Sequence, residues 1–565
     1  MLKRAPRVRE FNFKIQNTFL NSDTLHLGVV KSFKGARMLS QQKINDQKDN
    51  LVELLRNDFE SLFKLDYPSF IKLIQVTIPE SLYLKGKANV SAEGILDGKL
   101  AKNFYGLTED EEIRAFSGLL RFKDAFSGTE TDYHNFVACQ IEMKKPVLTY
   151  QSFKKMRQYI IETLSTPEDY AAAMWSILCN DLGKVHSVIE AYEQLPNKKD
   201  MGHDLLLAEL LKEKPELFSG FLNLTQEHRQ QIISGYASGC DISQLEQLEL
   251  PTVALEALKK LDKKTLNLYI LHTIFDVAGA AAHFKSNGSL TLHEETWTFF
   301  NATREALEKL NHEQNNSIEE AYNYYLQFRG KCVGIKNISP ESTALIRIAG
   351  LARLATPEQG KMLSTVWENL PEHTKKILTQ ELNVHGGRGL RAIFIGYGVA
   401  MLLNPQSALQ KEVNDVTKNL GLQVESAQKM AANMEGLRIG LITMANAFEH
   451  ARTLIGNNSK KGFFVAECDE VARFLSKEPR KSLEMDIKIE STNERRADFR
   501  LANRPVQQKE VNDGSFSPSI DTSKENNSLA LSKAIVSNSH RLFNKEIVPS
   551  GLSSKNIMNN TPKLK

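Results

Sequence analysis

Sulfur is too sparse to build a framework: 565 residues contain five cysteines, Cys139, Cys179, Cys240, Cys332 and Cys468, with no Cys-x-x-Cys pair. An odd, widely spaced set excludes a disulfide scaffold and a zinc ribbon or finger, and implies reduced thiols in a cytosolic compartment. No stretch approaches the roughly 20 apolar residues that cross a bilayer, so no membrane span is expected. The opening MLKRAPRVREFNFKIQNTF lacks the uninterrupted apolar core of a secretory signal. The expectation is a cytoplasmic protein, with export by a signal-free route left open. A strong charge imbalance is also missing. The net charge of +4 gives no concentrated basic face and argues against a dedicated nucleic-acid binder. Strand-like alternation is nearly absent, and no repeat of fixed period marks a regular solenoid. There is no Gly-x-Ser-x-Gly elbow and no His-Glu-x-x-His. The glycine-rich His385-Gly386-Gly387-Arg388-Gly389 follows a helical pattern and has no trailing Lys-Ser/Thr, so it reads as an inter-helix turn rather than a phosphate cradle.

What is present is helical periodicity and enough apolar residues, 41%, for a sizeable core. Leu51, Leu54, Leu55, Phe59, Leu62 and Phe63 recur at three- and four-residue steps on one face of a pattern that begins near Leu39. An irregular excursion occupies 84–108. The Thr108-Glu109-Asp110-Glu111-Glu112 run suits a helix N-terminus, where a hydroxyl caps free amides and carboxylates favour the positive end of the dipole. Helical patterns then follow one another to about Arg452, punctuated by proline and glycine. Leu390 to Leu403, the most apolar segment, reads as a buried helix. Past 478, Ser, Asn, Lys and Glu dominate, and Phe499, Phe516 and Phe543 are too few aromatics for a core. The expected class is therefore all-α. A mostly helical extension covers 1–110, a helical domain 111–300, further helices packed on it 301–478, and a disordered tail 479–565 through which a protein partner could bind.

Polar residues with chemical potential gather in the second of these segments. An apolar helix ending at Leu178 runs into Asn180-Asp181-Leu182-Gly183-Lys184. Glycine permits close backbone approach there; Asp181 suits a hard or borderline cation and Lys184 an anionic oxygen. Gly202-His203-Asp204 opens the next apolar helix. Downstream, in LYILHTIFDVAGAAAHF, His272, Asp276 and His283 stand four and seven residues apart and stack along one helical face. Burying such a stripe is costly unless a metal or facing polar groups partner it. Upstream, His134 is the one histidine between His26 and His186 and so the one early candidate ligand before Asn180-Asp181.

Taken in order, His134, Asn180-Asp181-Leu182-Gly183-Lys184, His203 heading a helix, and Asp276 resemble the HD-domain superfamily of metal-dependent phosphohydrolases over residues 130–285, about a quarter of the chain. NDLGKV followed by GHDLLLAELL is similar to the branch that includes cyclic-di-nucleotide phosphodiesterases. The resemblance implies an HD-like helical bundle. It also implies a divalent metal ion (Mn, Fe, Mg or Zn) held by His134, Asn180, Asp181, His203 and Asp276. His272, His283 and His228 would support the site from behind, and Asp181 and Lys184 would be the catalytic pair. The implied ligand is a small phosphorylated or nucleotide-like molecule. Asn180 departs from the family pattern, which has His in that place; a neutral amide oxygen is a weaker ligand for transition metals. Three arrangements remain open: a site using Asp181, His203 and His272 or His186; a site for Mg²⁺ or Mn²⁺; or a pocket without metal. The alternative function is a catalytically inactive, HD-like interaction or scaffold protein, in its most specific form a secreted effector.

Overall fold

The computed structural model describes residues 50–86, 105, 107, 109–142, 146–196, 202–310, 317–387, 389–420, 423–457 and 462–503. The chain divides after Lys48, and everything below concerns the unit that begins at Asp49. The expected start of the first helix near Leu39, most of the 84–108 excursion, Arg388, and the tail beyond Asn503 with Phe516 and Phe543 lie outside the described residues.

The chain is mostly helical. Its first half is organised around the helix Asp110–Ser127, which is buried on nearly every side and therefore central. It crosses the helix Lys263–Gly279 at a pair of glycines. A methyl on Gly279 would stand 2.2 Å from the Arg114 carbonyl oxygen, and one on Gly118 would stand 2.5 Å from that of Phe275. The two backbones are thus in direct contact, which only residues without a Cβ permit. The helix Pro167–Cys179 packs on both. It starts with Pro167 in its first turn and a Thr166/Asp169 capping box, and its residues from Tyr170 to Cys179 are all buried. The helices Glu130–Glu142, Tyr150–Thr163, His203–Glu213 and Gln226–Ala237 complete this bundle.

The second half begins with the helices Ile318–Cys332, Pro340–Leu351, Pro357–Glu368 and Glu372–Glu381. It then departs from an all-α architecture. Strands β1 (Ala392–Gly396), β2 (Phe463–Glu467), β3 (Met485–Thr492) and β4 (Arg496–Asn503) form one sheet in the order β1-β2-β4-β3. β1, β2 and β4 are parallel, while β3 is antiparallel to β4 with a register shift between Ile489 and Ser491. Between β1 and β2 run the long helices Gly398–Asn419 and Ser426–Ile455. A single core from Val333 to Phe499 joins sheet and helices.

Three expectations are corrected here. Leu390 to Leu403 is a fully buried strand followed by a helix, because a short unbroken apolar run fits a buried strand as well as a helix. Gly396-Tyr397-Gly398 makes the break, with Tyr397 in the left-handed region at φ 61°. The tail does not begin at 479: β3 and β4 carry the fold to Asn503, with Ile487, Ala497 and Phe499 in the core. The class is therefore mainly helical with a small mixed sheet.

Two buried arginines fasten the halves together. Arg329 donates to the carbonyls of Glu246 and Leu354, and Arg347 to those of Leu248, Glu249, Leu250 and Leu382. Together with the Tyr322 and Tyr325 hydroxyls, they satisfy the backbone of the turn after helix Ile242–Glu246, where Leu248 has φ 58°.

Candidate functional site

The Asn180–Lys184 segment is a 3₁₀ turn closing the helix Pro167–Cys179. Gly183 decides where it sits. A methyl at this position would stand 2.2 Å from the His203 carbonyl oxygen, so the start of the helix His203–Glu213 rests directly on the glycine. This contact brings His203 to Asp181, with Nε2 and Oδ1 3.7 Å apart, and leaves its ring also 3.2 Å from Asp204 Oδ1. Lys184 Nζ is 2.7 Å from the same Asp181 oxygen.

The Gly118/Gly279 crossing brings two further helices to the cluster. It sets Arg114, one turn into its helix, in the electrostatic reach of Asp276 and Asp181. Arg114 Nη1 meets Glu111 Oε1 at 2.9 Å. His272, one turn before Asp276, lies between the Tyr236 and Tyr269 rings, each 5.6 Å away by centroid. The carboxylates of Asp276, Asp204, Asp181 and Asp241 all act on it. Asp181, Lys184, His203, Asp276 and His272, drawn from three separated stretches of sequence, thus form one charged cluster. Glu111, Arg114, Asp204 and Asp241 belong to it as well.

Its electrostatics follow from burial. Asp181 is 4% exposed, and burial alone would raise its pKa, but Lys184, Arg114 and His203 outweigh this and hold it ionised well below the usual carboxylate range. Burial, with the adjacent charge of Asp181, pushes Glu111 up to about 7. Lys184 is raised because Asp181 overcomes its desolvation. His272 is held neutral by burial against the pull of Asp276. Several polar atoms are buried without a partner: both ring nitrogens of His272, at 7% exposure, the side-chain oxygen of Asn180, at 5%, and Arg114 Nε. Such atoms are rare in folded proteins and mark places where a ligand, ion or water completes the bonding.

Of the other expected residues, His134 and His228 lie elsewhere. His134 is largely exposed, and its contacts are with Glu130 and Tyr133 of its own helix. His228 is tied by Nε2 to Asp169 at 2.9 Å and by Nδ1 to the Thr225 hydroxyl at 2.7 Å, which pins the caps of two helices together. His283, 7% exposed, flanks Arg114 with its Nδ1 unpartnered, but the helix ends at Gly279, so His283 does not share a helical face with His272 and Asp276 as expected.

Glu111 and Arg114 were hidden in the sequence by a plausible local role, since acidic residues at a helix start need no further reason. A fainter signal existed: Glu111, Arg114 and Gly118 stand three and four residues apart, on one helical face.

A model of a family of unknown function, DUF6829, matches residues 105–426. The chain belongs to the DUF6829 family. The matched span contains the whole cluster from Glu111 to His283 and runs on through β1 and the helix Gly398–Asn419 to Ser426, so the DUF6829 unit crosses from one half of the fold to the other. No curated protein and no solved structure matches the chain.

Among the described residues, no three His, Cys, Asp or Glu side chains are gathered closely enough to hold a metal ion. The donors fit such an ion in kind, because carboxylates, a neutral imidazole and an amide oxygen with open valences share the cluster. In the described conformation Lys184 occupies one Asp181 oxygen.

Proposed function

We propose that the cluster is a divalent-cation-dependent site for hydrolysis of a phosphoester, of the HD type that the sequence resembles. One observation carries the reading: the cluster is acid-rich, with Asp181 and Glu111 buried and Asp204, Asp241 and Asp276 half-buried. Among the described residues, Arg114 and Lys184 are the permanently charged cations that act on Asp181. A partly buried excess of carboxylates is costly, and a divalent cation is the natural counter-charge. Asp181 and Asp276 would hold it with His203, His272 and the Asn180 oxygen. An amide oxygen among the donors favours Mg²⁺ or Mn²⁺. Bound there, the ion would lower the pKa of a water molecule and polarise the phosphoryl oxygen. Lys184, turning from Asp181, would take a phosphate oxygen and neutralise charge that develops on it. His203 stands at the exposed side of the cluster, beside Asp181.

The test is turnover of simple phosphoesters with Mg²⁺ or Mn²⁺ by the full chain beside Asp181→Ala and Asp276→Ala. The reading expects a loss of at least ~100-fold in folded variants. Variants that match the wild type would sink it.

A second reading, a non-catalytic helical interaction protein with a vestigial pocket, is favoured by the Lys184–Asp181 contact, in which an ammonium stands where a metal would be shared.

A further inference from the structure

We propose that Arg114, Lys184 and His283 form an anion-holding side of the cluster, and that the substrate is a phosphomonoester whose terminal phosphate carries two negative charges. The inference rests on the phosphoester reading of this site and narrows it.

The argument begins with unused donors. Arg114 has Nη1 on Glu111 at 2.9 Å, while its Nε is buried with no partner. Lys184 has one contact on Asp181 and further ammonium hydrogens to give. His283 is more than nine-tenths buried, and its Nδ1 is unpartnered. It stands four residues beyond Gly279, whose Cα packs on the Arg114 carbonyl, and it lies within the field of the Arg114 guanidinium. Arg114 and Lys184 thus stand within electrostatic reach of each other and of Asp181 and Asp276, and His283 flanks Arg114 with a donor position open.

Charge and shape select the ligand. A guanidinium presents planar paired donors that match two oxygens of one phosphate, and an ammonium adds a third contact as a point charge. Two fixed cations complement a dianionic terminal phosphate. A diester has one negative charge and a second carbon substituent, which would have to lie against Arg114 and His283 and leave their buried donors unsatisfied. A site built with such donors rejects a ligand that cannot use them.

The experiment uses the full chain with Mg²⁺ or Mn²⁺. Turnover of p-nitrophenyl phosphate is compared with that of bis(p-nitrophenyl) phosphate, and inorganic phosphate and dimethyl phosphate are titrated calorimetrically. Arg114→Gln, Arg114→Lys and His283→Gln are measured alongside, with thermal melts to verify folding. The expected result is monoester preferred over diester, and phosphate bound in preference to dimethyl phosphate. Phosphate affinity should fall about tenfold or more in Arg114→Gln and partly recover in Arg114→Lys, with KM rising more than kcat falls. Preference for the diester, or unchanged phosphate affinity in both Arg114→Gln and His283→Gln, would overturn the inference while leaving the hydrolase reading intact. Turnover of neither ester, with phosphate binding that Arg114→Gln abolishes, would overturn the hydrolase reading and leave the anion subsite standing.

Discussion

Gly183 shows at the scale of one residue how the cluster is assembled. Nothing but a hydrogen fits between its Cα and the His203 carbonyl, and the contact is what carries His203 to Asp181. Gly183→Ala should therefore force the turn and the helix His203–Glu213 apart. The expected loss of stability is about 1–3 kcal/mol, the usual range for an extra methyl in a packed site, read as a lower urea midpoint at unchanged slope. An unchanged midpoint would show that the turn relaxes freely. Asp181, Lys184, His203, His272 and Asp276 were legible because the sequence sets polar groups on otherwise apolar helices, where each demands a partner. Arg114 and Glu111 were not, because their partners are remote in sequence and become visible only once Gly118 and Gly279 cross. His134 as a ligand and His228 behind the site rest on the family resemblance and not on any partner the sequence shows. Both have local satisfaction, His134 in solvent and His228 in the caps of two helices.

At the scale of elements, helices with caps and long periodic faces were readable, and the sheet was not. β1 is an unbroken apolar run that a buried helix would share. β3 and β4 do alternate, at Ile487 and Ile489 and at Ala497, Phe499 and Leu501, but they lie within a polar composition that masks a few apolar positions. Their role in the core gives a prediction. A chain ended after Glu484 removes both strands, exposes β2 as a new edge and uncovers the core against which Ile487, Ala497 and Phe499 pack. It should melt at a lower temperature and aggregate on heating, whereas a chain ended after Asn503 keeps every strand and should melt as the full chain does. Equal melting of the two truncations would mean that β3 and β4 contribute nothing to the unit.

Across the whole molecule, the two halves depend on each other. Arg329 and Arg347 reach from the second half to the backbone carbonyls of 246–250, and that turn directly follows the helix capped by Asp241, whose carboxylate acts on His272. The second half thus braces the turn beside the cluster, and the family span of 105–426 includes both. Among the described residues, no helix is long and apolar enough to cross a membrane. The central claim is that this acid-rich, partly buried cluster holds a divalent cation. Elemental analysis after exhaustive chelation and reloading with Mg²⁺ or Mn²⁺, on wild type beside Asp181→Ala, tests it most directly. The account predicts near-stoichiometric metal in the wild type and none in the variant. No metal in either protein at saturating supply would contradict it.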